Sequence, residues 1–512
     1  MDRVTAKSRY SSLETFRTGP LERARTAAEY TIPSLFPKEG SNDSSKLATT
    51  DQSIGARGVN NLASKFLMTL LPPNESFFKL NIDEYTLEEL SNDEAALAEA
   101  QKALSKIERT CMLELESLSA RAVLSEGFKQ LIVAGNALLF LDKKTLRTYR
   151  LDKYVIRRDP AGNVLEIVIK ESVSPLSLPE KARELAASED DQKTVELYTH
   201  VKRTAENWAV YQEINENIVP DSQGAYPLDN CPWIPLRFTR IDGEYYGRGY
   251  VEEYLGDLIA ANGLQKAIVQ SAVATSKLLI FVDPNGVTKI KDISEAPNGA
   301  VRAGREQDVS MLQLNKAADL QVALETLRDI IQRLSYAFLL NSSIQRKGER
   351  VTAVEIRYMA GELEDVFGGT YSVQGQEFQI PFVNVLLRNL TKQKRLPQLP
   401  KDVVKPTITA GLDALGRSHD LIKMDEFLQG AIQTLGPETV AAWVNAGDYL
   451  TKRAAALSLD SSGLVKTKEQ KQEEDRQNSE QMMQQMLQQQ MMQTGGKVIE
   501  NATKGTDINV EQ

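Results

Sequence analysis

Residues 250–340 read as helix, compact insertion, helix, and of everything in the 512-residue chain this order leaves the fewest ways to fold. The first helix, 250–275, carries Val251, Tyr254, Leu258, Ala261, Ile268 and Ala272 on one side. The second, 318–340, keeps the i, i+3, i+4, i+7 rhythm of an amphipathic helix through Leu320, Leu324, Leu327, Ile331, Leu334 and Phe338. At 1.5 Å per residue the two are roughly 39 and 34 Å long. Such similar lengths suit an antiparallel pair with the insertion at its tip. That insertion, 278–313, holds a β-like run at 278–282, a turn at Asp283-Pro284-Asn285-Gly286, and breakers at Pro297, Asn298, Gly299 and Gly304.

On the C-terminal side follows a polar loop, NSSIQRKGER at 341–350, in which Arg346, Lys347 and Arg350 face one acidic residue, Glu349. Thr352 and Glu355 form a T-x-x-E capping box that opens a third long helix. Gly368-Gly369 predicts a break or kink in it, and Pro381 a second boundary. A Pro-punctuated basic stretch at 392–406 leads to two or three shorter helices ending near 459. The Gln- and Met-rich segment 469–493 has the composition of a disordered tail, but its residues also favour helix, so coaxial helices in an oligomer are the alternative.

Ahead of the hairpin, helices are expected at 21–30, at 54–71 before Pro72 and Pro73, and at 91–119, with a turn at 32–37. Ser91 and Asp93 are capping residues for the last of these, and Leu97, Leu104, Ile107, Cys111 and Leu115 mark its core face. Strand-like runs at 137–141, 164–169, 195–200 and 208–214, punctuated by Asp159, Pro160, Gly162 and Asn163, make 136–235 an α+β part. The polar stretch 179–193 reads as a surface helix or loop. Helix should dominate the whole.

The residues needed for common chemistries are mostly missing. The cysteines, Cys111 and Cys231, have no second ligand at metal spacing, and His200 and His419 are the only histidines, read as surface or satisfied groups. No G-x-x-x-x-G-K-[ST] sequence provides a phosphate cradle, and no serine stands in a G-x-S-x-G elbow. Gly243, Gly247 and Gly249 have the wrong spacing for a dinucleotide fingerprint and suit a tight turn entering the helix. Glu252, Glu253 and Asp257, like Glu362, Glu364 and Asp365, could hold two metals only if gathered; spread around a helix they read as a solvated face or one side of a subunit contact. No catalytic residue, metal or cofactor is therefore assigned. No signal peptide or membrane span is expected. A net charge of -9 disfavours a general nucleic-acid binder, though not a protein past which DNA slides.

Several segments carry a family resemblance: EYTIPSLFP at 29–37, GARGVNNLASK at 55–65, CPWIPLR at 231–237, DGEYYGRGYVEEYLGDL at 242–258, QRKGERVTA at 345–353 and EIRY at 355–358. Together they resemble the portal, or head-to-tail connector, proteins of podovirus-type short-tailed bacteriophages, over about 29–390. The resemblance implies the phage portal fold, mainly α with an α+β wing, assembling as a closed dodecameric ring at one capsid vertex. Carried onto this chain, 1–248 is the wing, 249–276 and 316–340 the stem helices, 277–315 the clip, and 341–351 the channel loop. Residues 352–404 form a kinked wing helix and linker, 405–465 the crown, and 466–512 the tail.

Twelve helices side by side, each about 10 Å wide, make a circle about 38 Å across their axes with an opening of roughly 28 Å, enough for duplex DNA. Arg346, Lys347 and Arg350 would touch phosphates there without reading sequence. The implied partners are double-stranded DNA, the terminase, a tail adaptor and the major capsid and scaffolding proteins, with no membrane. The implied location is the virion's portal vertex after assembly in the host cytoplasm. Two rivals are a packaging enzyme, either a terminase-like motor or a nuclease, and a structural virion protein that never surrounds DNA. ATP hydrolysis by the purified chain would favour the first, and failure to form closed rings the second.

Overall fold

The first helix starts where it does for a local reason: the Thr5 hydroxyl accepts from the Ser8 amide at 3.1 Å, satisfying a donor that a helix start leaves orphaned. This helix, α1 (Ala6–Glu29), is longer than the expected 21–30 and has Pro20 inside it. Pro20 cannot donate to the Phe16 carbonyl. Packing overrides the defect, because each half is held by its own core. Ala6, Tyr10 and Leu13 pack with Val155, Val168 and Tyr198, whereas Leu21, Ala24, Ala27 and Ala28 join the main core.

This computed structural model describes residues 4–41, 45–73, 76–82, 94–186, 194–275, 279–312, 317–340, 361–397 except 362, 364, 365 and 371, 404–408, 412–453 except 448, 451 and 452, and 471–485 except 472, 474 and 475. They divide into two units, Met1–Asp413 and Ala414–Gln512.

In the first unit, α2 (Ile54–Leu70) stops before Pro72 and Pro73, and β1 (Phe78–Ile82) follows. α3 (Glu94–Ser117) buries Leu104, Ile107, Cys111 and Leu115, the expected face. Ser91, Asp93 and the Leu97 side chain lie outside the described residues. Ser119, at φ 51, turns the chain into a further helix, α4 (Ala120–Ala134).

The α+β part then contains β2 (Asn136–Leu141), β3 (Leu146–Tyr149), β4 (Tyr154–Arg158), β5 (Val164–Val173), α5 (Glu180–Ala186), β6 (Val195–Arg203), β7 (Asn207–Ile214), β8 (Asn217–Ile218), β9 (Gly224–Pro227) and β10 (Trp233–Arg237). All four expected strand runs are strands. One sheet has the order β10-β2-β3 and the other β4-β5-β6-β7-β8 with β9 also on β7, all pairs antiparallel. α5 lies in the polar stretch read as surface helix or loop; it buries only Ala182 and Ala186, against Leu178, Leu197, Ile214 and Val219.

The helix–insertion–helix order follows as α6 (Tyr250–Glu253), α7 (Leu255–Thr275), β11 (Leu279–Val282), α8 (Ile290–Ser294), β12 (Val309–Leu312) and α9 (Ala317–Ala337). The capping box at Thr352 and Glu355 lies outside the described residues. The break expected at Gly368-Gly369 is not there, since 366–370 are helical. Leu363 and Phe367 are buried beside that pair, and their burial outweighs the cost of about 1 kcal/mol that each glycine adds to a helix. The irregularity sits instead in a π turn at Gly375–Gln379 that runs directly into α10 (Ile380–Lys392), so Pro381 stands within continuous helical backbone, where the regular hydrogen-bond ladder is already broken. β13 (Val404–Ile408), which begins in the stretch read as basic and Pro-punctuated and runs past it, pairs antiparallel with β1, Phe78 opposite Ile408 and Leu80 opposite Pro406. In a two-stranded ribbon every strand is an edge, the one place a sheet tolerates proline.

Further on come α11 (Leu412–Leu435) and α12 (Pro437–Trp443), joined through Gly436 at φ 83, a left-handed conformation that favours glycine. In the second unit Asp425 accepts from both Tyr449 and Arg453. Residues 476–485 of the Gln- and Met-rich segment are helical. The fold as a whole mixes helix and strand.

Candidate functional site

The hairpin expected from 250–340 is present and antiparallel. Its two ends meet where the Tyr250 hydroxyl donates to the Ala337 carbonyl at 2.9 Å, and where Tyr254 and Phe338 lie 6.1 Å apart, centroid to centroid. One exposed ion pair, Arg333 with Asp257 at 2.8 Å, ties α9 to α7 higher up. At the tip, β11 and β12 pair from Leu279 opposite Leu312 to Val282 opposite Val309. Asp283 and Gly286 form the expected turn, the Gly286 amide donating to the Asp283 carbonyl at 3.0 Å. Asp308 organises what lies beside it, accepting from the Thr288 amide at 3.0 Å and hydroxyl at 2.9 Å. Desolvation works to raise the Asp308 carboxyl, and these donors outweigh it and hold it below the usual range.

Hairpin and body join through aromatic rings. Tyr250 lies 4.7 Å from Phe367 and 6.1 Å from Phe338, while Phe66 of α2 lies 5.4 Å from Phe367 and 5.7 Å from Phe238. Rings meeting edge to face at such distances add to the area they bury. α2 comes this close because Gly58 has no side chain: a Cβ there would stand 2.4 Å from the Phe338 ring. From the next turn of α2, Asn61 donates to the Phe338 and Leu339 carbonyls at 2.9 and 3.0 Å. These are carbonyls that a helix end leaves without partners. The point where the chain departs for 341–350 is thus held to the body.

The glycine-rich entry to the hairpin is a backbone joint. A Cβ on Gly249 would stand 2.5 Å from the Val133 carbonyl oxygen, one on Gly247 2.7 Å from that of Gly135, and one on Gly135 2.3 Å from the Arg248 carbonyl carbon. Two chain segments touch here with no room for side chains. Asn136 seals the contact, donating to the Gly247 carbonyl at 2.9 Å and accepting from its amide at 2.8 Å. The expected tight turn is therefore correct in kind, but its partner, 133–136, was not readable from spacing.

Behind the joint, the π turn delivers Glu377 to Arg237, whose guanidinium is 2 % exposed; Glu377 also accepts from the Arg237 amide at 3.2 Å. Arg158 sits beside this pair, and burial pushes its guanidinium down to about 10 although Glu377 pulls the other way. In the β4–β8 sheet, Glu166 accepts from His200 at 2.7 Å and from Arg9, and His200 also meets the Tyr211 hydroxyl at 2.8 Å. His200 is thus a satisfied histidine; the His419 side chain is outside the described residues.

The other groups considered for chemistry are tied up as well. Burial pushes both the Cys111 and Cys231 thiols up to about 12, far from thiolate reactivity. Glu252 pairs with Arg23 at 3.3 Å and Arg248 at 3.7 Å, and Asp257 with Arg333. Among the described residues no three acidic, histidine or cysteine side chains gather as metal ligands, and no helix is long and apolar enough to cross a membrane. Glu362, Glu364 and Asp365, and the loop cations Arg346, Lys347 and Arg350, lie outside the described residues.

A braced α+β body that extends one long helical hairpin with a β tip, and pairs Arg158, Arg237 and Glu166 internally, is built as a structural connector. Comparison agrees: the description of the bacteriophage head to tail connecting protein family matches residues 3–465, and the chain belongs to that family. It is 44% identical over 478 residues to the portal protein of Enterobacteria phage T3, covering 91% of this chain and 89% of that one. To the portal protein of Escherichia phage T7 it is 43% identical over 479 residues, with the same coverage, and to that of Enterobacteria phage SP6 29% over 468 residues, 89% of each. The neck of an empty gene transfer agent particle overlaps 80% of this chain and 91% of its own at 12% identity and a TM-score of 0.38, too loose a likeness to argue from. The resemblance to podovirus-type connectors is borne out, and with it the reading as a portal protein.

Proposed function

We propose that copies of this chain close into a dodecameric ring at one capsid vertex, through whose axial channel duplex DNA is packaged, retained and ejected, without catalysis by the chain. One observation carries the reading. α7 has only Asp257 and Lys266 as charges among its 21 residues, yet Ile259, Val269 and Val273 are exposed on it at 43, 52 and 54 %. An exposed helix side made mostly of glycine, alanine, isoleucine and valine is suited to packing against another surface. In a single chain half of α7 faces water, and neighbouring hairpins standing side by side cover it.

On this reading α6–α7 and α9 are stem helices, 277–315 is the clip, and 1–248 with the helix and linker of 352–404 is the wing. The crown is 405–465 and the tail 466–512. The clip docks the terminase during filling and a tail adaptor afterwards, and the wing meets the major capsid and scaffolding proteins. The protein then resides in the virion after assembly in the host cytoplasm. Arg346, Lys347 and Arg350 belong to the channel loop, 341–351, and the grip of Asn61 on the end of α9 supports a loop projecting from a rigid base. They meet phosphates without reading bases.

Native mass spectrometry with electron-microscope class averages tests the ring. A closed assembly of about a dozen chains around an open hole is expected; a monomer or dimer without one would overturn it. Replacing the three loop cations by alanine should change DNA packaging or retention and leave ring mass intact. Unchanged packaging would remove the loop's role.

A further inference from the structure

The basic stretch that opens at the end of α10 plays no part in the hairpin. From 388 to 405 it holds Arg388, Lys392, Lys394, Arg395, Lys401 and Lys405 against Asp402, in a chain whose net charge is -9. The fold brings the first of these to the β2–β3 turn, where Lys143 and Lys144 stand: Gln393 donates to the Lys143 carbonyl at 3.1 Å. The Tyr226 ring lies at the centre, with the Arg388 guanidinium 5.1 Å and the Lys392 ammonium 5.9 Å from its centroid. Lys143, Lys144, Lys392 and Lys394 are exposed.

Arg388 donates to the Asn230 carbonyl at 3.0 Å, and among the described residues neither it nor Lys143, Lys144, Lys392 or Lys394 has a carboxylate in ion-pair range. Asp142 and Asp229 are the acidic groups nearby. Arg395, by contrast, is paired with Glu114. Arg388 and Lys392 are a like-charge i, i+4 pair, an arrangement that destabilises a helix by about 0.2–0.5 kcal/mol. Desolvation, then Arg388 and Lys143, hold the Lys392 ammonium below its ordinary range. A cluster of cations this little compensated from within is suited to an external anion.

We propose that Lys143, Lys144, Arg388, Lys392 and Lys394 form a second contact for the phosphodiester backbone of duplex DNA, separate from the 341–351 loop. Lysine side chains are depleted in protein–protein interfaces but serve well as point charges for phosphate, so exposed lysines around one arginine and one ring fit DNA better than an acidic protein. The site is remote from the hairpin base. Phe367, in the aromatic cluster, and Lys392, in the last turn of α10, are separated by 25 residues and the π turn.

The test uses the assembled full-length protein and a short fluorescein-labelled duplex, with anisotropy recorded over a salt series and lysine acetylation mapped by mass spectrometry. Lys143 and Lys392 should be protected by the duplex. The double variant K143A/K392A should lower the slope of log K against log salt by about 2, in the wild-type loop and in R346A/K347A/R350A alike. An unchanged slope, or equal acetylation of both lysines with and without DNA, overturns the proposal whatever the loop variant does. So does polyglutamate of matched charge protecting the lysines as well as DNA does, which would make the patch a protein-docking surface. Unaltered ring mass and melting temperature show that the variant is folded.

Discussion

Gly135, Gly247 and Gly249 show how much of the hairpin's attachment rests on the absence of three side chains. A methyl group on Gly249 would overlap the Val133 carbonyl, which is backbone and cannot swing aside. Gly249→Ala should therefore destabilise the chain by more than about 3 kcal/mol, read as a fall in the denaturant midpoint. An unchanged midpoint would mean that the two segments are not in contact. Glu166 offers a pH test. Burial would raise its carboxyl, but hydrogen bonds from His200 and Arg9 hold it down at about 2, against an ordinary 4.5. Because the folded value is the lower one, the stability from Glu166 is complete above pH 4.5 and is lost as the pH falls toward 2. Glu166→Gln should lower stability at neutral pH and flatten its pH dependence in that window; equal acid titration curves for both proteins would contradict the network.

Among the elements, the hairpin depends on its base more than on its length. α7 and α9, 21 residues each, are about 31 Å long, and the exposed Arg333–Asp257 pair, screened by water, adds little. Phe338, fully buried against Gly58, Tyr250 and Tyr254, matters more. Phe338→Ala should cost about 3–5 kcal/mol. Hydrogen exchange should speed up across 250–275 and 317–337 while the β4–β8 sheet, which has its own contacts, stays protected; uniform acceleration would show that hairpin and body unfold as one. Helix and hairpin positions here were legible from periodicity. The π turn was not, because the pattern around Gly368-Gly369 offers a more obvious break, whereas the turn at 375–379 carries Glu377 to a partner, Arg237, 140 residues away. β13 was missed for a similar reason: Pro406 argues against a strand, and only β1 supplies its partner.

For the whole molecule, the decisive surface is the outside of α7. V269D/V273D places charge on a face that is already exposed in one chain, so its monomer should melt within about 0.5 kcal/mol of wild type. In the proposed ring the same charges would be buried without partners, and closed rings should be lost. Intact rings of this variant, seen by native mass spectrometry, would place the subunit contact elsewhere on the chain.

Sequence by itself determined the order helix, insertion, helix, the α+β part before it, and the family, because apolar periodicity and turn residues are local and the quoted segments are specific. It also determined that few groups were available for catalysis. Which of those groups find partners was decided only by tertiary structure. His200 lies 34 residues from Glu166, Gly247 over a hundred from Gly135, and Glu377 140 from Arg237. Contacts between residues so far apart leave no periodic trace, since they arise when the elements pack and each buried polar group must find a partner.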